Sequence, residues 1–163
     1  FSFVDAEIDV AINDYFNEAG FQLGTLGIGA GDISADSWEI DEPGYVFGDI
    51  FDNLLNGLLD NTNAVPFDTP DDLSMGMGFQ LGDVLPGQVA AVDVLLSDDG
   101  DTLGSFALQH FDTGTGSADA LTVSGVAIVP EPASGILLGV GIGITGLTAW
   151  YRRRRRAATN VGE

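Results

Sequence analysis

The chain has no cysteine, no lysine and a single histidine, His110; its only basic side chains are five consecutive arginines near the C-terminal end. Each absence excludes something. Without cysteine there is no disulfide, no thiol nucleophile and no thiolate metal site, so the fold must stand on its core. About 130 residues can do that without staples. With one histidine, a cluster of histidine metal ligands within one chain is impossible, and any nucleophilic triad must use His110. That residue lies between Gln109 and Phe111 in a strand-like run, and no serine sits in a nucleophile-elbow context. With no basic residue before Arg152, the bulk of the chain repels nucleic acid and anionic membrane surfaces. Gly24, Gly27, Gly29 and Gly31 are followed by no basic residue or clear helix, so they do not form a phosphate cradle. No internal repeat and no second globular domain are visible.

What is present is concentrated in the last part of the chain. Val129, Pro130, Glu131 and Pro132 lead into residues 133–151, which contain no charged side chain. As a helix this run would be about 28 Å long, close to the roughly 30 Å of a bilayer's hydrocarbon core. Trp150 and Tyr151 close it, where amphipathic rings favour the membrane–water interface. Arg152, Arg153, Arg154, Arg155 and Arg156 follow at once. Clustered positive charge beside a span stays on the cytoplasmic side, which puts the preceding residues outside. A proline–acid–proline motif, an apolar span and an arginine stop in this order resemble the PEP-CTERM sorting signal of Gram-negative bacteria. The match covers residues 129–156, with a seven-residue extension beyond it. The resemblance implies export, a hold in the inner membrane by the tail, and processing near the motif by the membrane enzyme exosortase. It also implies association with exopolysaccharide and biofilm.

The prolines have a physical part in this. Pro130 and Pro132 lack an amide N–H and fix φ, and they push the residues before them to extended conformations. Residues 129–132 are therefore expected to be an accessible peptide. Within the span, Gly135, Gly139 and Gly143 are four apart, the spacing that lets two membrane helices approach; plain tolerance of glycine is the other reading. An outside location also calls for an export signal upstream of Phe1.

The formal charge is −20, and all but one of the 25 acidic residues precede the span. Such a polyanion depends on salt or divalent cations to relieve self-repulsion.

The exported part reads as mainly β, an antiparallel, immunoglobulin-like β-sandwich over residues 1–128. It is followed by a linker at 129–134, one transmembrane helix at 135–151 and a basic cytoplasmic tail at 152–163. Strands are expected at 6–12, 21–26, 37–40, 45–47, 73–81, 89–96, 106–111 and 121–128. Turn clusters separate the later ones. Val92 and Val94 alternate with Asp93, and strands 89–96 and 121–128 are expected in the core. Residues 50–59 have the apolar spacing of an amphipathic helix, with a strand as the alternative. The turn Leu85, Pro86, Gly87, Gln88 before a strand is common in immunoglobulin-like sandwiches. Residues 72–129 also look like the last strands of short PEP-CTERM proteins.

The chemistry-bearing candidates are few. Asp98, Asp99 and Asp101 surround Gly100 on a tight turn, where closely spaced carboxylates can hold calcium. Asp68, Asp71 and Asp72 form a similar group. The alternative is a solvated hairpin turn, since Asp-Gly is a favoured turn dipeptide. No other cofactor is expected, and no enzymatic activity. Two functions stay open. One is a non-enzymatic structural or adhesive protein of the cell surface or extracellular matrix, with exosortase, the inner membrane and exopolysaccharide as partners. The other is a calcium- or carbohydrate-binding module, with Trp38, Tyr45 and Phe111 as stacking surfaces.

Overall fold

A computed structural model of the chain describes residues 1–6, 8, 16–26, 33–114 and 120–128. The chain divides into two compact units, Phe1–Val129 and Pro130–Glu163. The second lies outside the described residues, and with it the linker, the expected span and the basic tail.

The first unit is mainly β and entirely antiparallel in its sheets. Its elements are β1 (Ser2–Asp5), β2 (Glu18–Gly24), β3 (Ile33–Ser34), β4 (Ser37–Asp41), α1 (Ile50–Asn56), β5 (Ser74–Gly78), β6 (Ala91–Ser97), β7 (Phe106–Asp112) and β8 (Ala120–Ile128). One sheet has the order β1-β5-β4; the other holds β2, β7, β8, β3 and β6 around the long strand β8. Thr122, Val123 and Ser124 of β8 pair with both β6 and β7, and Val126 and Ala127 pair with both β6 and β3. β6 therefore takes one edge of β8, while β7 and β3 follow each other along the opposite edge.

Alternation explains which side chains meet. Trp38 and Ile40 of β4, Met75 and Met77 of β5, Phe106 and Leu108 of β7 and Val123 of β8 belong to one buried cluster, completed by Ala35, Val65 and Leu73. Both sheets thus contribute to a single core. The rings of Trp38 and Phe106 lie 6.1 Å apart. Burying apolar side chains of this size contributes about 1.5–3 kcal/mol each. Gly20 of β2 makes the close approach of the sheets possible. A Cβ there would come within 2.8 Å of Leu73 and 2.9 Å of Ile40.

Residues 61–65 stitch one sheet to the other. Asn61 N donates to Trp38 O at 2.8 Å, Ala64 N donates to Ile40 O at 2.8 Å, and Gly20 N donates to Val65 O at 2.9 Å. Asn63 Nδ2 donates to Gly20 O at 2.7 Å. Backbone groups on an otherwise open flank of β4 and β2 are satisfied in this way.

The other face of the β1-β5-β4 sheet is covered by α1. Ile50 and Leu59 are fully buried and lie over Gly76, where a Cβ would sit 3.3–3.4 Å from them. The helix ends at Gly57, which adopts φ 72°, a left-handed cap that glycine takes without strain. The expected helix at 50–59 is therefore shorter, and its last two residues form the chain's exit from it.

The strands expected at 37–40, 73–81, 106–111 and 121–128 correspond to β4, β5, β7 and β8. The strand expected at 21–26 begins three residues earlier. Residues 45–47 are not a strand, β1 was not expected, and most of 6–12 lies outside the described residues. At 85–88 the turn forms, with Gln88 N donating to Leu85 O at 2.9 Å and Gly87 at φ 88°.

The expected burial of strand 89–96 is overturned. β6 is not in the core: Val92, Val94 and Leu96 are 37%, 45% and 52% exposed. The alternation there gives the two faces of a strand, but among the described strands β6 pairs only with β8, and at this edge its valines and Leu96 stay largely uncovered.

Candidate functional site

The acidic side chains gather at three places, each built by a different local device.

The first lies under α1. Ser37, Glu39 and Asp41 alternate on the face of β4 opposite Trp38 and Ile40, which in sequence reads as a solvent face. The helix and the segment leading to it cover that face, so Glu39 and Asp41 are 1% and 6% exposed. Asn53 Nδ2 donates to both oxygens of Glu39, at 3.0 and 3.1 Å. Asp41 Oδ1 accepts from Glu42 N at 2.9 Å, and Oδ2 accepts from Asp49 N at 2.6 Å. Carboxylate oxygens of Glu39, Asp41 and Asp49 lie within 4.8 Å of one another; this is the one group of three or more potential ligands so arranged among the described residues. Burial, against the Asn53 hydrogen bond and with the charges of Asp60 and Asp49, pushes the Glu39 carboxyl up to about 7. Burial also raises Asp41, with the amide of Asp49 opposing it. Chemically the three carboxyls can share a proton or surround a small cation.

The second place is a buried histidine–carboxyl contact. Glu18 and Asp112 are register partners between β2 and β7, and His110 faces Gly20 two residues along. His110 Nε2 lies 3.3 Å from Glu18 Oε1, with 1% and 2% exposure. Glu18 Oε2 accepts from Leu73 N at 2.9 Å. The pair thus reaches from one sheet to the segment entering the other. His110 Nδ1 and Asp112 Oδ2 are buried with no hydrogen-bond partner.

The third is an open cleft of about 470 Å³ lined by Phe16, Glu42, Pro43, Phe47, Asp71 and Asp72. Burial, then the charges of Asp71, Asp41 and Asp72, raises the Glu42 carboxyl. Burial, then the charges of Glu18 and Asp5, raises Asp72. Phe47 and Phe16 are 83% and 70% exposed.

The sequence candidates fall as follows. Asp98, Asp99 and Asp101 follow β6 on an exposed turn around Gly100 at φ 83°. The Ser97 hydroxyl donates to Asp99 Oδ1, and Asp101 N donates to Ser97 Oγ at 3.0 Å and Asp99 Oδ1 at 3.3 Å. These hydrogen bonds, the Ser97 hydroxyl first, hold the Asp99 carboxyl below its ordinary value. Of Asp68, Asp71 and Asp72, the latter two line the acidic cleft. Of the three expected stacking surfaces, Trp38 is a core residue at 7% exposure, because its strand position faces the other sheet. Tyr45 is 61% exposed and packs edge-on against Phe51, and Phe111 lies between Phe21 and Phe67. Val129, Pro130, Glu131, Pro132 and the five arginines lie outside the described residues. Among the described residues no helix is long and apolar enough to cross a membrane.

The groups under α1 were missed in sequence because nothing local distinguishes Glu39 and Asp41 from solvated carboxylates. The exposed phenylalanines at 16 and 47 carry no periodic signal either. Comparison of the chain with protein-family models, with curated proteins and with solved structures finds no match.

Proposed function

We propose that the chain is an exported surface or matrix protein. In this reading an immunoglobulin-like β-sandwich is carried to the outside and held in the inner membrane by a tail that exosortase processes. The domain then serves a non-enzymatic structural or adhesive role in an exopolysaccharide layer. The observation that carries the reading is the segregation of charge. Every basic residue lies in Arg152–Arg156, directly after an uncharged run of membrane length, and all but one of the acids lie before it. Two antiparallel sheets sharing one core support the sandwich. The sole histidine is buried against Glu18, which supports a domain without histidine-based catalysis.

A reporter fused after Glu163 is expected to be active only in the cytoplasm, and periplasmic activity there refutes the orientation. Replacing Pro130, Glu131 and Pro132 with alanine is expected to leave uncleaved protein in the membrane. Normal maturation of that variant reduces the motif to a linker.

A second reading, a calcium-binding module, is favoured by the convergence of Glu39, Asp41 and Asp49. Calcium at the Asp98, Asp99, Asp101 turn belongs to the same reading. Thermal stability in calcium against magnesium at equal ionic strength separates them. Loss of a calcium-specific gain on Glu39→Gln places it under α1, loss on Asp99→Asn at the turn, and equal effects of the two ions remove the reading.

A further inference from the structure

At β6 the apolar layer of the domain runs out into solvent. The register with β8 sets Leu96 beside Val123, Val94 beside Gly125 and Val92 beside Ala127. Directly opposed residues of an antiparallel pair share a face, and Val123 and Ala127 are buried. Val92, Val94 and Leu96 therefore stand on the core side of their sheet. Phe79 lies over Gly125, where a Cβ would come within 2.7 Å of its ring. One strand further out, the three β6 side chains are 37%, 45% and 52% exposed.

The same strand leaves part of its backbone unpaired. Among the described strands β6 pairs only with β8, so alternate N–H and C=O groups along its outer edge point to solvent. The usual protections of such an edge are missing. β6 has no proline and no lysine, and its register with β8 runs through seven consecutive pairs without a bulge. The free backbone groups specify the kind of partner, which is another extended strand.

Charge narrows the choice to a second β6. In a chain of formal charge −20, β6 holds a single charged side chain, Asp93. Let two copies of β6 run antiparallel about a two-fold axis at Val94. All seven residues then overlap. Val94 meets its own copy, Val92 meets Leu96, Ala91 meets Ser97 and Asp93 meets Leu95, so no like charges are directly opposed. An axis at Asp93 would set two carboxylates against each other. An axis at Leu95 would shorten the overlap and bring Asp98 into line with Val92. Of the three, the register at Val94 alone keeps the whole strand and separates the charges. It also lays the two apolar strips side by side, so that each cross-strand pair takes exposed surface from water.

We propose that β6 pairs with β6 of a second copy of this chain, antiparallel and centred on Val94, joining two sheets into one. A seven-residue edge is smaller than the roughly 20–30 residues a side of a stable interface, and two chains of this charge repel each other. The dimer is therefore weak, concentration-dependent and strengthened by salt. Pairing of this kind does not depend on where the domain is carried.

The absence of cysteine makes the register directly measurable, because one introduced thiol reports alone. Val92→Cys, Val94→Cys and Leu96→Cys variants of the 163-residue chain are oxidised in a mild non-ionic detergent, and cross-linked dimer is quantified on non-reducing gels. Val94→Cys is expected to cross-link at least about tenfold faster than either other variant alone, since only at the axis do identical positions come within disulfide distance. A mixture of the Val92→Cys and Leu96→Cys chains is expected to cross-link as a heterodimer. In sedimentation velocity, Val94→Lys is expected to weaken self-association at least about tenfold by opposing two like charges. Asp93→Asn, or raising NaCl from about 0.05 to about 0.5 M, is expected to strengthen it about two- to threefold. The gain in Asp93→Asn cannot arise from loss of folding. Equal cross-linking at the three positions, none in Val94→Cys, or no heterodimer from the mixture overturns the proposal. So does self-association that Val94→Lys leaves unchanged, which assigns it to another surface, or that weakens as salt rises.

Discussion

Replacing Glu39 with glutamine should stabilise the protein at neutral and alkaline pH. Glu39 is 1% exposed, and no lysine or arginine lies among the described residues to pair with it. Its carboxyl is pushed up from 4.5 to about 7, by burial first, then by the charges of Asp60 and Asp49 against the hydrogen bond from Asn53. A carboxyl whose folded pKa is raised binds its proton more tightly folded than unfolded. Below about 4.5 both states are protonated and folding incurs no penalty. Between 4.5 and about 7 the unfolded chain ionises while the folded one resists, so stability falls as pH rises. Above 7 the penalty is complete. At ~1.36 kcal/mol per pH unit it would reach about 3.4 kcal/mol. Solvent reaching the cluster from the side of exposed Asp49 and Asp60 screens part of this, which leaves about 1–2 kcal/mol.

Glutamine keeps the shape and mimics the protonated acid, since its amide can donate to Asp49. Glu39→Gln should therefore raise the melting temperature at pH 8 by about 3–6 °C, at about 2–4 °C per kcal/mol for a chain of this length. At pH 4.5 the difference should shrink to near zero. The assay is a pair of thermal melts at each pH with ionic strength held constant, supported by urea midpoints. Equal stabilisation at both pH values refutes the reasoning, because the gain would not come from removing a charge. Destabilisation at pH 8 refutes it also, and means that Asn53 requires a carboxylate.

Three other perturbations test the fold. Gly20→Ala should cost about 1–3 kcal/mol in urea denaturation, because the new methyl group would lie 2.8 Å from Leu73 and 2.9 Å from Ile40; a neutral effect would mean that the sheets can separate locally without loss. His110→Ala should cost about 2–4 kcal/mol in the same assay, by opening a cavity at a fully buried ring and leaving the buried Glu18 carboxyl without its neighbour. Adding Glu18→Gln should recover part of that loss, and a double variant as unstable as the sum of the single ones would show that the two residues do not interact. Val94→Lys, on the exposed edge strand β6, should change stability by less than about 0.5 kcal/mol while lowering self-association in analytical ultracentrifugation. A large loss of stability would show that β6 is covered after all.

Much of the β character was legible locally. β7 and β8 alternate cleanly enough that the facing of Phe106, Leu108 and His110 follows from period two alone. Leu85, Pro86, Gly87 and Gln88 form a turn because proline presets φ and glycine accepts the positive value that follows. The start of α1 could be placed from its apolar spacing, although Gly57 ends it before Leu58. β1 was not legible: Ser2–Asp5 is short, and its pairing with β5 supplies an order that its own residues do not specify.

The chain's composition, by itself, determined the absence of thiol chemistry, the excess of negative charge and the segregation of all positive charge behind an apolar run. These are counts and orders along the chain, and no folding can alter them. Which carboxylates are buried was decided by tertiary structure alone. Glu39 and Asp41 alternate with core residues as solvated groups do, until α1 folds over them. Val92 and Val94 alternate as core residues do, yet stay on an uncovered edge. Alternation assigns a side chain to one face of a strand. Only packing decides whether a second layer covers that face, and it is the covering that raises the Glu39 carboxyl.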